Sequence, residues 1–155
     1  MAPSDAIAVT VLSEILAIDQ LARGALDRVL PQRMELSQFS VLNHLAHVGG
    51  ERTPAQLART LHVTRSTMTN TLNRLERAGW IHVRPDWDDA RRKLVMLSDA
   101  GLTARDGAVA AILPLIGDMA GQIGPERLRA ALPVLRELRL SLLALEDQGR
   151  SAAVT

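Results

Sequence analysis

Residues 84–101 read RPDWDDARRKLVMLSDAG. Three carboxylates, Asp86, Asp88 and Asp89, fall within four positions, and after Ala90 come Arg91, Arg92 and Lys93 in a row. A carboxylate beside a guanidinium makes a charge-assisted hydrogen bond that fixes the direction of the arginine, which can then be presented to an anion. The pair expected to do this is Asp89 holding Arg91. A plainer reading is that the charges keep an exposed hairpin soluble and discourage edge-to-edge pairing of sheets.

A second set lies in TRSTMTNTLNRLERAG, residues 64–79. At helical spacing Arg65, Ser66, Thr69, Asn70, Asn73 and Arg77 face outward, and Thr67 and Arg74 complete the candidate set. These are donors and small polar groups with a single acid, Glu76, at the far end; such a face approaches a polyanion and hydrogen-bonds base edges. An ordinary solvated helix has the same polarity.

Two histidines, His44 and His47, stand three apart on one helix face, a spacing that supplies two ligands to a zinc ion. No further His or acid completes the shell, so neither a metal nor another cofactor is expected. A glycine-rich phosphate loop, a nucleophile motif and a larger ligand cluster are all missing, which argues against an enzyme. The absence of cysteine excludes disulfides, thiolate metal sites and thiol switches.

The elements that must position these groups follow from periodicity and caps. Residues 5–30 place Leu12, Ile15, Leu16, Leu26, Val29 and Leu30 at roughly helical spacing, with Pro31 as a stop. Ser37 is the expected N-cap of a shorter helix through QFSVLNHLAHV, with Leu36 as a staple residue and Gly49-Gly50 as its end. Thr53, Pro54 and Gln56 form a capping box with proline at the first helical position, opening a helix that ends near Leu61. Thr64 caps the next, whose narrow stripe is Met68, Leu72 and Leu75 and whose stop is Gly79. Two helices joined by three or four residues make a helix-turn-helix, in which the second helix faces the major groove of DNA.

WIHVR and KLVML flank PDWDDARR and read as a hairpin with a long tip. A hairpin after a helix-turn-helix makes a winged helix, and a tip carrying Arg91 and Arg92 reaches an adjacent minor groove, where a narrow A·T-rich stretch concentrates negative potential. Charge agrees. Residues 51–93 hold nine basic side chains against five acids, while residues 1–50 and 94–155 stand at −2 and −1, an asymmetry that the overall +1 conceals.

Ser98 is placed to cap a helix through DAGLTARDGAVAAILPLIGDM. Another runs from Pro125 to about Asp147, with Leu128, Leu132, Leu135, Leu138, Leu142 and Leu145 as an apolar seam. The seam suits an intramolecular bundle as well as a dimer. Pro114 and Pro133 fall inside these helices and should kink or break them. At 155 residues and 47% apolar composition the chain can bury a sizeable core as one domain or two small ones. It has neither a signal-like N-terminus nor an apolar run approaching the ~18 residues of a bilayer span, so a soluble cytoplasmic protein is expected.

These residues resemble the MarR family of transcription regulators, whose wing carries Asp-Pro-x-Asp-x-Arg, a gap, and Leu-Thr-x-x-Gly. The matching positions are Asp86, Asp89, Arg91, Leu97, Ser98 in place of Thr, and Gly101; the order of elements agrees from about residue 8 to residue 146. Trp87 departs from the family's proline; its ring either stacks on a sugar or packs beneath the wing, and of the two packing is expected. The resemblance implies a mainly α fold with a small β-hairpin wing: residues 37–98 a winged helix-turn-helix, residues 1–36 and 99–155 a helical dimerisation region. It implies a homodimer that binds double-stranded DNA at a pseudo-palindromic operator as a repressor. It also implies a small, often aromatic or anionic effector bound near Leu16, Asp19, Phe39, Asn43, His47 and Trp80. The alternative is a winged-helix protein-interaction module that reads no DNA sequence.

Overall fold

The computed structural model describes residues 3–152; the expected helical region at 1–2 and 153–155 lies outside the described residues. The elements are α1 (Pro3–Val29), a 3-10 turn (Pro31–Arg33), α2 (Leu36–Val48), α3 (Pro54–Thr60), α4 (Arg65–Arg77), β1 (Ile81–Pro85), β2 (Lys93–Leu97), α5 (Asp99–Ile123) and α6 (Pro125–Ala152). The fold is therefore mainly helical with one antiparallel hairpin, as expected. By compactness the chain forms two units, divided between Leu113 and Pro114.

Within the first unit, local chemistry sets the helix starts. The Thr53 hydroxyl accepts from the Gln56 N–H at 3.2 Å, the Gln56 side chain accepts from the Thr53 N–H at 2.8 Å, and Pro54 occupies the first turn, where its missing N–H costs nothing. The Thr64 hydroxyl accepts from the Thr67 N–H at 3.1 Å at the start of α4. Helix α2 differs from expectation: it begins at Leu36 with Glu35 as its N-cap residue, and Gln38 accepts the Glu35 N–H at 2.9 Å. Ser37 lies inside the first turn. The preference for serine at a cap is a weak prior, and here a glutamine three residues along satisfies the orphan donor instead.

Helix α4 ends as its glycine demands. Gly79 adopts φ +74°, its N–H bonds to the Glu76 carbonyl, and the Trp80 N–H bonds to the Leu75 carbonyl, which together close a Schellman turn. Helices α3 and α4 are joined through Leu61–Thr64, where His62 takes φ +53° without being glycine.

The apolar stripe Met68, Leu72 and Leu75 is buried with Val41, Leu42 and Leu45 of α2, Leu57 and Ala58 of α3, Ile81 and Val95 of the hairpin, and Ala104, Ala108 and Ile112 of α5. The hairpin pairs Ile81 with Leu97, Val83 with Val95 and Pro85 with Lys93, so alternate residues face the core and His82 and Met96 face out. Arg52 adds a one-residue third strand, exchanging backbone hydrogen bonds with Val95 at 3.0 and 2.8 Å. The loop after α2 is thereby tied to the wing.

In the second unit α6 runs unbroken through Pro133; Pro114, where the units divide, likewise leaves α5 a single helix. The expected breaks are not found: one proline removes one backbone hydrogen bond, and the bonds on either side carry the helix through. Of the leucine seam, Leu128 and Leu138 are half-buried while Leu132, Leu135, Leu142 and Leu145 are exposed. One sequence expectation needs correction, because α5 is long and apolar enough to cross a membrane by length and composition. Its charged residues, Asp99, Arg105, Asp106 and Asp118, interrupt any continuous run yet are too few to lower its mean below that mark.

Candidate nucleic-acid interface

The outer face of α4 is exposed at every position expected: Arg65, Ser66, Thr67, Thr69, Asn70, Asn73, Arg74 and Arg77. Its first turn is knitted together by hydroxyls. Thr64 Oγ1 lies 3.0 Å from Ser66 Oγ and 2.8 Å from Thr67 Oγ1, and Thr69 donates to the Arg65 carbonyl. Asn70 and Asn73 make no side-chain hydrogen bond among the described residues, which leaves their amides available as donors and acceptors. Arg74 instead forms an ion pair with Glu35 at the start of α2, so its guanidinium is drawn toward the body.

Between α4 and the wing opens a cleft of about 370 Å³ lined by Arg65, Thr69, Arg91, Arg92, Lys93 and the Thr53-Pro54-Ala55 start of α3. Among the described residues four cationic side chains border it and no carboxylate does, an arrangement that favours a polyanion. Lys93 was not among the residues expected from sequence, although it ends the basic triplet; its place in a strand hid its contribution to the cleft.

Two of the wing's three carboxylates are turned onto its own loop. Asp89 Oδ1 accepts from the backbone N–H of Arg91 at 3.0 Å, and the Asp89 carbonyl accepts from the Arg92 N–H at 2.9 Å. Asp86 Oδ1 accepts from the Asp88 N–H at 3.1 Å, and its Oδ2 stands 3.8 Å from Arg92 Nε. Asp89 therefore holds Arg91 by its backbone, not by its guanidinium. A short aspartate reaches a main-chain donor two residues on more readily than a long side chain, and the Arg91 head is left directed by nothing but the loop.

Sequence reasoning missed the pair that ties this loop to the body. Arg84 on β1 donates from Nε and Nη2 to Glu51 at 2.7 and 2.6 Å, a bidentate contact that raises the arginine's already high pKa. Thirty-three residues separate the partners, so no local pattern reveals them. The Arg84 guanidinium also lies 4.6 Å from the centre of the Trp87 ring. Trp87 is 84% exposed, so the expected packing beneath the wing is wrong: the hairpin's core face is already filled by Ile81, Val83, Val95 and Leu97, and the loop carries Trp87 beyond it.

Residues 34–92 match the sequence model of the MarR family. Over that stretch the winged helix is similar to the MarR family. The matched stretch runs from Met34, ahead of α2, to Arg92 at the end of the wing loop, and so includes every side chain bordering the cleft except Lys93.

Among proteins of known role, the chain is 31% identical over 94 residues to the HTH-type transcriptional regulator PecS of Dickeya dadantii, a match covering 59% of this chain and 57% of that protein. Among solved structures, that of an E. coli MarR variant complexed with operator DNA superposes with a TM-score of 0.77 at 21% identity, covering 89% of this chain and 99% of that one. BpsR of Bordetella bronchiseptica, whose DNA binding is regulated by 6-hydroxynicotinic acid, superposes with a TM-score of 0.72 at 20% identity, covering 83% and 98%. These structural likenesses show the shared fold.

The Leu-Thr-x-x-Gly signature of MarR wings has a physical role in this chain. Ser98, standing for the threonine, donates its hydroxyl proton to the Gly79 carbonyl at 2.7 Å and accepts from the Gly101 N–H at 2.9 Å. It thus joins the end of α4 to the start of α5. A Cβ on Gly101 would fall 1.9 Å from the Trp80 carbonyl oxygen, so the glycine is required by close backbone approach.

The six positions that the MarR resemblance assigns to an effector are scattered in character. Leu16 and Asp19 are exposed on α1, where Asp19 pairs with Arg23 at 2.9 Å and this contact holds its carboxyl below the usual range. Phe39 and Trp80 are half-buried against the core, Asn43 accepts from the Arg105 guanidinium at 2.8 and 3.0 Å, and His47 is exposed. None of the six borders the cationic cleft or the second cavity, of about 220 Å³, which Arg23, Ser37, Ser40, Leu61 and Thr67 help to line. Burial, then the charges of Arg52 and His47, push the His44 imidazole below its ordinary pKa. Among the described residues no three His, Asp or Glu side chains cluster as metal ligands.

Proposed function

We propose that this chain is a cytoplasmic, non-catalytic transcription repressor of the MarR type that binds a pseudo-palindromic operator as a homodimer. The observation that carries the reading is the cleft bordered by Arg65, Arg91, Arg92 and Lys93, a concentration of positive charge where a recognition helix meets a wing. In this reading Arg65, Ser66, Thr67, Thr69, Asn70, Asn73 and Arg77 enter the major groove and Arg91 and Arg92 reach the flanking minor groove. Arg74 contributes charge to the outer face, and Asp89 shapes the loop. A bidentate arginine on guanine or an asparagine on adenine gives base discrimination; the wing gives affinity and sensitivity to groove width.

Dimerisation is supported by the apolar side chains that α1 and α6 leave in solvent, among them Leu12, Leu16, Leu21, Leu135, Leu142 and Leu145. A twofold dimer presents two recognition helices to half-sites about one helical turn apart. A small aromatic or anionic effector near Leu16, Asp19, Phe39, Asn43, His47 and Trp80 would lower operator affinity by favouring a different spacing of those helices, as 6-hydroxynicotinic acid regulates BpsR.

The test is fluorescence anisotropy with the DNA upstream of the protein's own gene, against a shuffled duplex, across a salt series. Preference for the native sequence with a steep salt slope supports the regulator; equal, weak and salt-insensitive binding to both supports an interaction module instead.

A further inference from the structure

The wing ends in an aromatic surface that the cationic cleft does not account for. Trp87 is 84% exposed at the hairpin tip, with one ring face beside the Arg84 guanidinium at 4.6 Å. Arg84 is itself held along its edge by both oxygens of Glu51, at 2.6 and 2.7 Å. Glu51 sits next to Arg52, whose backbone pairs with Val95 of β2, so the carboxylate is anchored to the same sheet that carries the wing. Three residues from two distant stretches thus form one cluster, in which the carboxylate meets the edge of the guanidinium and the guanidinium stacks with the indole.

The charges explain what the cluster is for. Arg84 is neutralised by Glu51 and is therefore a poor phosphate contact, while Asp86 and Asp89 are committed to loop backbone N–H groups. The end of the wing thus offers the flat, apolar face of an exposed indole, followed along the loop by the exposed Asp88 and Arg91. Deoxyribose edges lining a minor groove are apolar and carry no sequence code, and they suit such a face; phosphates do not. Cation–π contact with a guanidinium holds the indole at little entropic cost, because its partner is already fixed.

We propose that Trp87 is a DNA-contacting residue that packs against the sugar edge of the minor groove, and that Glu51 and Arg84 are positioning residues that hold its ring for this contact. The proposal rests on the DNA-binding reading above and adds a contact at the position where MarR wings usually carry proline.

The experiment compares the full-length wild type with W87A, E51A and the double variant on operator DNA, and follows acrylamide quenching of tryptophan emission with and without that DNA. W87F, which retains Trp80 alone, separates the two signals. Expected are a loss of affinity of about three- to tenfold for W87A and shielding of the Trp87 emission on DNA addition. For E51A a smaller loss is expected, which vanishes in the W87A background because the two act through one contact. E51A should also change Trp87 quenching in the free protein, which a role confined to fold stability would not do; E51Q, which keeps an acceptor for Arg84, should restore part of both. Equal affinity of W87A and wild type, with Trp87 equally quenched in the presence of DNA, overturns the proposal while leaving the regulator reading intact. Shielding that grows with protein concentration without DNA assigns the ring to a contact between copies and also overturns it. Absence of specific binding by the wild type removes both readings together, and the anisotropy of the wild type alone distinguishes that case.

Discussion

In the winged helix the apolar stripe of α4 is wholly buried, and Leu42, Leu45, Leu57 and Leu75 are among the largest side chains sealed from solvent. In α1 and α6 side chains of the same chemistry stand in water: Leu16 is 62% exposed, Leu145 also 62% and Leu21 73%. The first region completes its own core; the second supplies amphipathic helices whose apolar faces await cover. A difference of this size shows that hydrophobic periodicity reports a face to be buried without naming the surface that buries it.

The comparison breaks most completely at Gly101. Replacing it with alanine drives a methyl group into the Trp80 backbone, and we expect the first unit to lose cooperative unfolding by circular dichroism, with no soluble folded fraction comparable to wild type. Next, Leu75→Ala should destabilise the winged helix by about 2–5 kcal/mol in urea titration, whereas Leu135→Ala, measured at dilutions where the chain is monomeric, should cost no more than about 0.5 kcal/mol. Similar losses at the two sites would erase the distinction between a completed core and an uncovered face. The pair Leu135→Glu and Leu142→Glu sharpens it from the other side: sedimentation should show the dimer dissociating at concentrations about tenfold or more above those for wild type, with the winged-helix melting transition retained. A last prediction concerns the interface itself. Arg91→Ala should weaken operator binding by about 1–3 kcal/mol and leave both stability and sedimentation unchanged; undiminished affinity would remove the wing arginine from DNA recognition.

Much of the winged helix was legible because its signals are local. Thr53 with Pro54 and Gln56, and Thr64 with its polar helix, bond within three residues of themselves, so spacing suffices to find them. Ser37 was misread because the start of the helix is set by Gln38, whose side chain reaches back to the Glu35 N–H. The wing was legible as a hairpin but not in its wiring. Asp89 and Arg91 were correctly brought together, yet which atoms meet is decided by loop conformation. Trp87 was expected to pack beneath the wing rather than stack on a sugar, but the hairpin register filled the space there with other side chains.

What the sequence determined by itself was the order of elements, the starts of α3 and α4, the stop at Gly79 and the placement of positive charge between residues 51 and 93. Each follows from side chains acting on their own backbone or from charge counted along the chain. Only the tertiary structure decided that Glu51 grips Arg84, that Asn43 receives Arg105, that Ser98 bridges Gly79 and Gly101, and that Lys93 joins Arg65 beside one cleft. Apart from Ser98's link to Gly101, these contacts join residues 19 to 62 positions apart, and no short-range periodicity encodes them. They exist because burying the α4 stripe against α2, α3 and the hairpin brings those backbones to within a side chain's length of one another.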